Sequence, residues 1–306
     1  MYKKHLECLT ALWNGPRRWS SQYAFVPKHQ PCEDAVLSQL QEFLYDTKRL
    51  FVLTGAGIST ESGIPDYRSE GVGLYATSDR RPIQYKTFME SSKARQRYWA
   101  RNYVGWPRFS SVNPNAAHKH LAAWEKQGKM ACVVTQNVDR LHHKAGTSVV
   151  HELHGSAFTV ICMSCRRQVV RHSFQTRLTR LNPYLSVKPA EIRPDGDVDL
   201  TDEEVNSFQV PSCESCGGIL KPHLVFFGES VPRERVERVK RQLAECDGLL
   251  VLGSSLYVYS GYRFILAGAE LGLRMCAVNI GPTRGDPHFL IKVNARCGDV
   301  LPRLQL

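Results

Sequence analysis

The sequence predicts an α/β fold: an open parallel sheet with one ligand crevice at its strand ends, accompanied by a smaller, metal-stapled module. Three observations predict it. Four short apolar runs each stop at glycine or small polar residues, one of them feeds a Gly-x-Gly turn, and two Cys-x-x-Cys pairs stand in the second half of the chain. Small or polar residues at several strand ends are where an open parallel sheet places its ligand. Each terminus alone reads as a plain turn, and their agreement carries the reading.

The first 32 residues differ from the rest of the chain. They hold Lys3, Lys4, Arg17, Arg18 and Lys28 against one acid, Glu7, with Trp13, Trp19 and Ser20 interspersed. Basic, acid-poor and serine-containing is how a mitochondrial transit peptide reads, and a solvated basic tail is the alternative. Without this segment the formal net charge falls from +11 to +7, losing five basic residues and one acid. The remaining excess suits acidic cofactors and acyl groups as well as nucleic acid, so charge alone decides nothing. With 42% hydrophobic and 23% charged residues the chain is globular, large enough for one sizeable core plus a smaller module. No run approaches the roughly 18 apolar residues that cross a bilayer.

Ala35, Val36, Leu37, Leu40, Phe43 and Leu44 recur at helical spacing, so the ordered chain is predicted to begin near Glu33. The run Leu50–Leu53 then meets Thr54, Gly55, Ala56, Gly57, Ile58 and Ser59. A buried strand feeding a glycine turn that opens a helix binds dinucleotides, because glycines let the backbone approach and free N–H groups face the phosphates. Thr60 stands where a third glycine would complete a dehydrogenase fingerprint, so that fingerprint fails. Three further strands are read at Met130–Thr135, Leu249–Leu252 and Met275–Val278. They end in Gln136-Asn137-Val138-Asp139, Gly253-Ser254-Ser255 and Asn279-Ile280-Gly281.

Cys162 and Cys165 form one Cys-x-x-Cys pair, Cys213 and Cys216 the other. Two such pairs can aim four thiolates at one Zn²⁺, leaving no open coordination position, so the metal is structural. Two disulfides or a redox pair are the alternatives. The stretch from Arg166 to Pro211 between the pairs far exceeds the roughly 15 to 20 residues of common zinc ribbons, which predicts an insertion. The other six of the ten cysteines are scattered, as in a reducing compartment.

In order along the chain stand Gly55–Ser59, Gly63-Ile64-Pro65-Asp66-Tyr67-Arg68, Pro114-Asn115 with His118, Thr135–Asp139, His151-Glu152-Leu153-His154-Gly155, both cysteine pairs, Gly253–Ser255 and Asn279–Gly281. This set resembles the sirtuin family over residues 35–300. The resemblance implies a Rossmann-like parallel-sheet domain (about 33–65, 112–155 and 219–306), a helical insert (about 66–111) and a zinc module (about 156–218), with NAD between. It also implies removal of an acyl group from lysine with NAD consumed as co-substrate, and protein partners carrying acyl-lysine, expected among mitochondrial metabolic enzymes of the matrix. Neither membrane nor nucleic acid is an expected partner.

By resemblance His154 is the general base, and an imidazole with an ordinary pKa near 6.5 can act so at neutral pH. His151 is read as structural. Asn137 and Asp139 match residues around the nicotinamide and its ribose; helix capping is their plain reading, and both roles can coexist. Gly55, Ala56, Gly57, Ser59, Pro65, Asp66, Tyr67, Arg68 and Gln136 are expected along the dinucleotide. Gly253, Ser254, Ser255, Asn279, Ile280, Gly281 and Cys297 are expected at its adenosine end. Val225, Phe226, Gly228 and Glu229 resemble the substrate strand to which an acyl-lysine peptide adds.

Tyr98 and Arg101 resemble the Y-x-x-R pattern of the branch that accepts acidic acyl groups, and residues at i and i+3 share a helix face. A solvated basic face is the alternative. The insert, with Asp195, Asp197 and Asp199, is expected near the entrance. Acidic or long acyl chains, glutaryl-type or lipoyl-type, are therefore expected over acetyl. ADP-ribose transfer from the same site, or a zinc-stabilised NAD-sensing or nucleic-acid-binding protein, are the other classes.

Overall fold

The computed structural model describes residues 23–79, 81–185, 192–194 and 196–305; most of the basic leader, and Asp195, lie outside them. Six parallel strands form the main sheet: β1 (Leu50–Thr54), β2 (Met130–Thr135), β3 (Val150–Glu152), and, after three strands of a second sheet, β7 (Gly248–Leu252), β8 (Arg274–Val278) and β9 (Ile291–Val293). Their order is β3-β2-β1-β7-β8-β9. Alternate residues of β1 and β7 bury on opposite faces. Leu50, Val52, Leu250 and Leu252 pack with Leu40, Phe43 and Leu44 of helix Asp34–Asp46. Phe51, Leu53, Leu249 and Val251 pack with Val236 and Val239 of helix Arg233–Ala244 and Phe264 of helix Tyr259–Glu270. Burial on both faces is why these strands read as continuous apolar runs rather than alternating ones.

The chain winds outward from β1 through β2 to β3, and from β7 through β8 to β9 in the other direction. The reversal lies between β1 and β7, so the sheet's crevice opens beyond Thr54 and Leu252. Among the described residues no helix is long and apolar enough to cross a membrane.

The second sheet is antiparallel, in the order β5 (Gln168–Val170), β4 (Gly155–Cys162), β6 (Leu220–Leu224). Its ends carry the cysteines. The Cys162 N–H donates to Arg167 O and the Cys213 N–H to Gly218 O, both at 2.9 Å, so each pair sits on a closed turn. The four sulfurs lie within 4.8 Å of one another. Cys162 and Cys216 Sγ are 3.5 Å apart, Cys165 and Cys213 Sγ 3.8 Å. Those separations exclude S–S bonds of about 2.05 Å and fit a tetrahedron of Zn–S bonds of about 2.3 Å, whose corners are about 3.8 Å apart. N–H groups of Cys165 and Ser164 hold the Cys162 thiol down at about 6, favouring the thiolate.

Helix Ser92–Ser111 crosses this sheet, and its Trp99 indole N–H donates to Leu220 O at 3.1 Å. The segment between the cysteine pairs contributes helices Arg171–Leu181 and Asp202–Ser207 to the same core, through Phe174, Leu178 and Val205. Arg171 is buried against the Trp99, Trp106 and Phe174 rings, with Asn102 Oδ1 accepting at 2.9 Å and Gln175 Oε1 at 2.6 Å. The insertion thus grips the long helix.

Zinc removal should loosen this unit, since binding energy at a thiolate site is folding energy. Cys213→Ser, or chelation of the unmodified protein, is expected to lower Tm by about 2–4 °C per kcal/mol lost. Zinc content and Tm measured together check it; a Cys213→Ser protein with unchanged Tm would deny the metal a structural role.

Candidate active site

Beyond Thr54 the chain does not enter an α-helix. The helix that the glycine turn opens is a single 3₁₀ segment, Ala56–Ser62, closed by Gly63 at φ 88°. Its turn meets the turn after β7 through backbone hydrogen bonds. The Gly55 N–H donates to Leu252 O at 3.1 Å and the Gly57 N–H to Gly253 O at 2.8 Å. A Cβ on Gly253, at φ 58°, would lie 2.2 Å from Ile58 N. Only glycine permits this approach.

One cleft of about 2170 Å³ opens over these turns. Every residue expected along the dinucleotide lines it, from Gly55 and Arg68 through Gln136 to Gly253, Asn279 and Cys297, and so do Asn137, Asp139 and His154. His151, in β3, does not. Among the described residues of the insert, Pro194 alone reaches this cleft.

Gln136 joins the two turns. Its Nε2 donates to Ser254 Oγ at 2.9 Å and to Thr54 O at 3.2 Å, while its carbonyl O lies 2.8 Å from His154 Nδ1. A carbonyl only accepts, so the proton sits on Nδ1 and Nε2 carries the lone pair. Nε2 accepts from Ser260 Oγ at 2.8 Å. Burial lowers the His154 pKa to about 4, so the imidazole is neutral at physiological pH.

Asn137 Nδ2 donates to Gly55 O at 2.9 Å and to Ser59 Oγ at 3.1 Å. Asp139 accepts from Ser59 Oγ at 2.7 Å and, just ahead of helix Leu141–Ala145, from the Leu141 N–H at 2.9 Å, and it lines the cleft. Burial raises its pKa. Behind them Asn115 Nδ2 donates to Ile58 O at 2.7 Å, and His142 Nε2 lies 3.0 Å from Thr54 Oγ1.

The residues expected to meet the substrate fall in two places. Tyr98 and Arg101 do not line the main cleft; they line an adjoining cavity of about 460 Å³ that shares Pro82 and Ile83 with it. There Arg101 Nη1 is 3.7 Å from Asp197 Oδ2, so its guanidinium already faces a carboxylate of the insert. Val225–Glu229 lies beyond the end of β6, and Phe227 makes only an isolated parallel bridge to Gln84. The segment is therefore not a strand. It is held from beneath by Lys221, whose Nζ donates to Glu229 Oε2 at 2.9 Å, and Glu229 Oε2 also accepts from the Phe226 N–H at 2.9 Å.

Sequence reasoning missed Ser260, Lys221 and Asn115 as site-shaping groups. Asn115 was within a recognised motif; Ser260 and Lys221 carry no signal short of the fold.

A Sir2 family model matches residues 55–260. The chain belongs to the Sir2 family. It is 52% identical to "NAD-dependent protein deacylase Sirt4" of Drosophila melanogaster over 94% of this chain and 92% of the relative. It is 55% identical to "NAD-dependent protein lipoamidase sirtuin-4, mitochondrial" of Homo sapiens over 91% and 88%, and 50% identical to an "NAD-dependent protein deacetylase" of Xanthomonas campestris pv. campestris over 87% and 90%. A solved Sir2 with a p53 peptide and NAD+ superposes with a TM-score of 0.69 at 27% identity, covering 87% of this chain and 96% of that one.

In this Sir2 protein burial is the chief cause of the lowered His154 pKa, so the imidazole should titrate well below 6.5, and Ser260→Ala, which removes a donor to the neutral ring but leaves the burial, should raise the midpoint only in part. An NMR titration of the imidazole reads both. A wild-type midpoint already near 6.5 would contradict the burial argument.

Proposed function

We propose that this chain is an NAD-dependent protein-lysine deacylase of the mitochondrial matrix, acting on acyl-lysine of metabolic enzymes. The observation that carries the reading is His154, which lines the cleft shared with the paired glycine turns and whose Nε2 carries the lone pair. The fit to NAD rests on those turns and on the polar set Gln136, Asn137, Asp139, Ser59 and Asn279 around one cleft. When bound, NAD supplies the ADP-ribosyl acceptor for the acyl group, with nicotinamide as leaving group.

The chain's own residues do the rest. An extended acyl-lysine peptide lies along Val225–Glu229, whose backbone is fixed by Lys221 and Glu229. Asn137 and Asp139 orient the nicotinamide half, and Ser59 ties both to the first turn. Ser260 releases His154 Nε2 to a ribose hydroxyl, from which Nε2 takes the proton. The Nδ1–H bond to Gln136 O then steadies the imidazolium. Zinc stays structural: four thiolates close its shell.

Mitochondrial placement draws on the basic leader and on the name of the human relative. Lipoyl-type and acidic acyl chains are the proposed substrates, from the lipoamidase names and from Arg101 beside the cleft.

The test is release of O-acyl-ADP-ribose from matched acetyl, glutaryl and lipoyl peptides by mass spectrometry. Lipoyl or glutaryl turnover should exceed acetyl, and His154→Ala should abolish it while NAD affinity stays within a few fold, because a general base serves a later transition state. ADP-ribose fixed to protein without lysine release would make it a transferase instead.

Arg101→Leu removes a charge-assisted bond worth about 1.5–3 kcal/mol, so it should cost about 10- to 150-fold in kcat/KM on the glutaryl peptide and little on the acetyl one. Tyr98→Phe should cost less. Equal losses on both peptides would assign Arg101 to holding Asp197 and the insert alone.

A further inference from the structure

The chain before the first helix is packed against one end of the cleft. Tyr23 and Val26 form a turn, the Val26 N–H donating to Tyr23 O at 3.0 Å. The Tyr23 ring lies under the Arg296 guanidinium, 3.9 Å from its carbon. Six residues later His29 Nε2 is 3.7 Å from Asp299 Oδ2. Between these two anchors Val26, Pro27 and Lys28 line the same cleft as Asn279, Ala295 and Cys297.

The anchors are themselves part of the cleft's frame. Arg296 Nε donates to Asp299 Oδ2 at 2.7 Å, and Arg296 Nη1 lies 3.8 Å from Glu61 Oε2. Glu61 belongs to the 3₁₀ segment after the Gly-x-Gly turn, and its Oε1 accepts from the Gly298 N–H at 2.8 Å. Tyr23 and His29 therefore clip the N-terminal segment across the seam where Ala56–Ser62 meets helix Cys297–Val300. A leader ending at residue 32, as composition suggests, would take this wall away.

We propose that Tyr23–His29 is the outer wall of the adenosine half of the dinucleotide site, and that the working enzyme keeps it, its mature N-terminus lying at or before Tyr23. The inference rests on the reading of the cleft as a dinucleotide site. An apolar pair, Val26 and Pro27, covers the adenosine end, and the two anchors hold that pair in place. Losing the anchors weakens the nucleotide and leaves the peptide segment at Val225–Glu229, at another part of the cleft, untouched.

The experiment compares the full chain with its Tyr23→Ala, His29→Ala double variant, measuring ADP-ribose and acyl-lysine peptide affinity by calorimetry. Two exposed contacts of this kind are worth together about a 5- to 20-fold loss in ADP-ribose affinity, with peptide affinity within twofold. Tyr23→Phe keeps the ring under Arg296 and gives up only the hydroxyl's bond to it, so it should lose less ADP-ribose affinity than the double variant. Unchanged ADP-ribose affinity in the double variant, or equal losses for both ligands, would overturn the proposal. A parent chain that binds no ADP-ribose would instead sink the dinucleotide reading and this inference with it. N-terminal sequencing of the protein recovered from mitochondria should begin at or before Tyr23, and a start beyond His29 with full ADP-ribose affinity would also overturn it.

Discussion

The backbone contact between the turn at Gly55–Gly57 and the turn at Gly253 is the constraint from which the site follows. β1 and β7 are hydrogen-bonded neighbours whose onward connections diverge, so the chain leaving each must turn immediately while touching the other. A side chain at Gly253 would strike Ile58 N, and one at Gly55 would strike Ser254 Cβ at 2.6 Å. The close fit lets a single side chain, Gln136 at the end of β2, reach both turns, and the same residue's carbonyl selects the tautomer of His154. A steric requirement at the sheet's centre thus sets which nitrogen carries a lone pair on the cleft wall.

Burial then separates the acid–base properties of the groups in the cleft. Desolvation favours the neutral form of each, lowering His154 and raising Asp139. His154 is left an uncharged acceptor, and Asp139 is held by Ser59 Oγ and the Leu141 N–H. The second sheet contributes rigidity: β4 leaves His154 through Gly155 at φ 79° and runs to Cys162, so the zinc knuckle anchors the far end of the strand that begins just after the histidine. The helical layer over that sheet is held by Arg171, whose burial pushes its pKa down to about 9.

Much of this was legible in the sequence, and the reasons are physical. The four apolar runs were readable because both faces of the central sheet are covered, and β2 falls at the expected Met130–Thr135. The cysteines were readable because a zinc knuckle is local in sequence. Arg101 was readable from the Y-x-x-R pattern but its pairing with Asp197 was not, because that carboxylate arrives from the insert, which no spacing rule ties to helix Ser92–Ser111. Ser260 was hidden for a similar reason: a serine near a helix start reads as a cap, and its bond to His154 exists only once β4 and helix Tyr259–Glu270 are brought together. Composition made one segment of residues 1–32, whereas Tyr23–His29 packs on Arg296 and Asp299, a distinction charge counting cannot make.

The most direct measurement of the central claim is ADP-ribose affinity of Gly253→Ala, with zinc content and circular dichroism recorded on the same sample. Alanine must adopt a left-handed conformation costing about 1–2 kcal/mol and must also push the Ile58 backbone away. The expected result is a folded, zinc-replete protein whose ADP-ribose affinity falls by more than about tenfold. A folded variant binding ADP-ribose within twofold of the parent would show that the contact between the two turns does not govern the site.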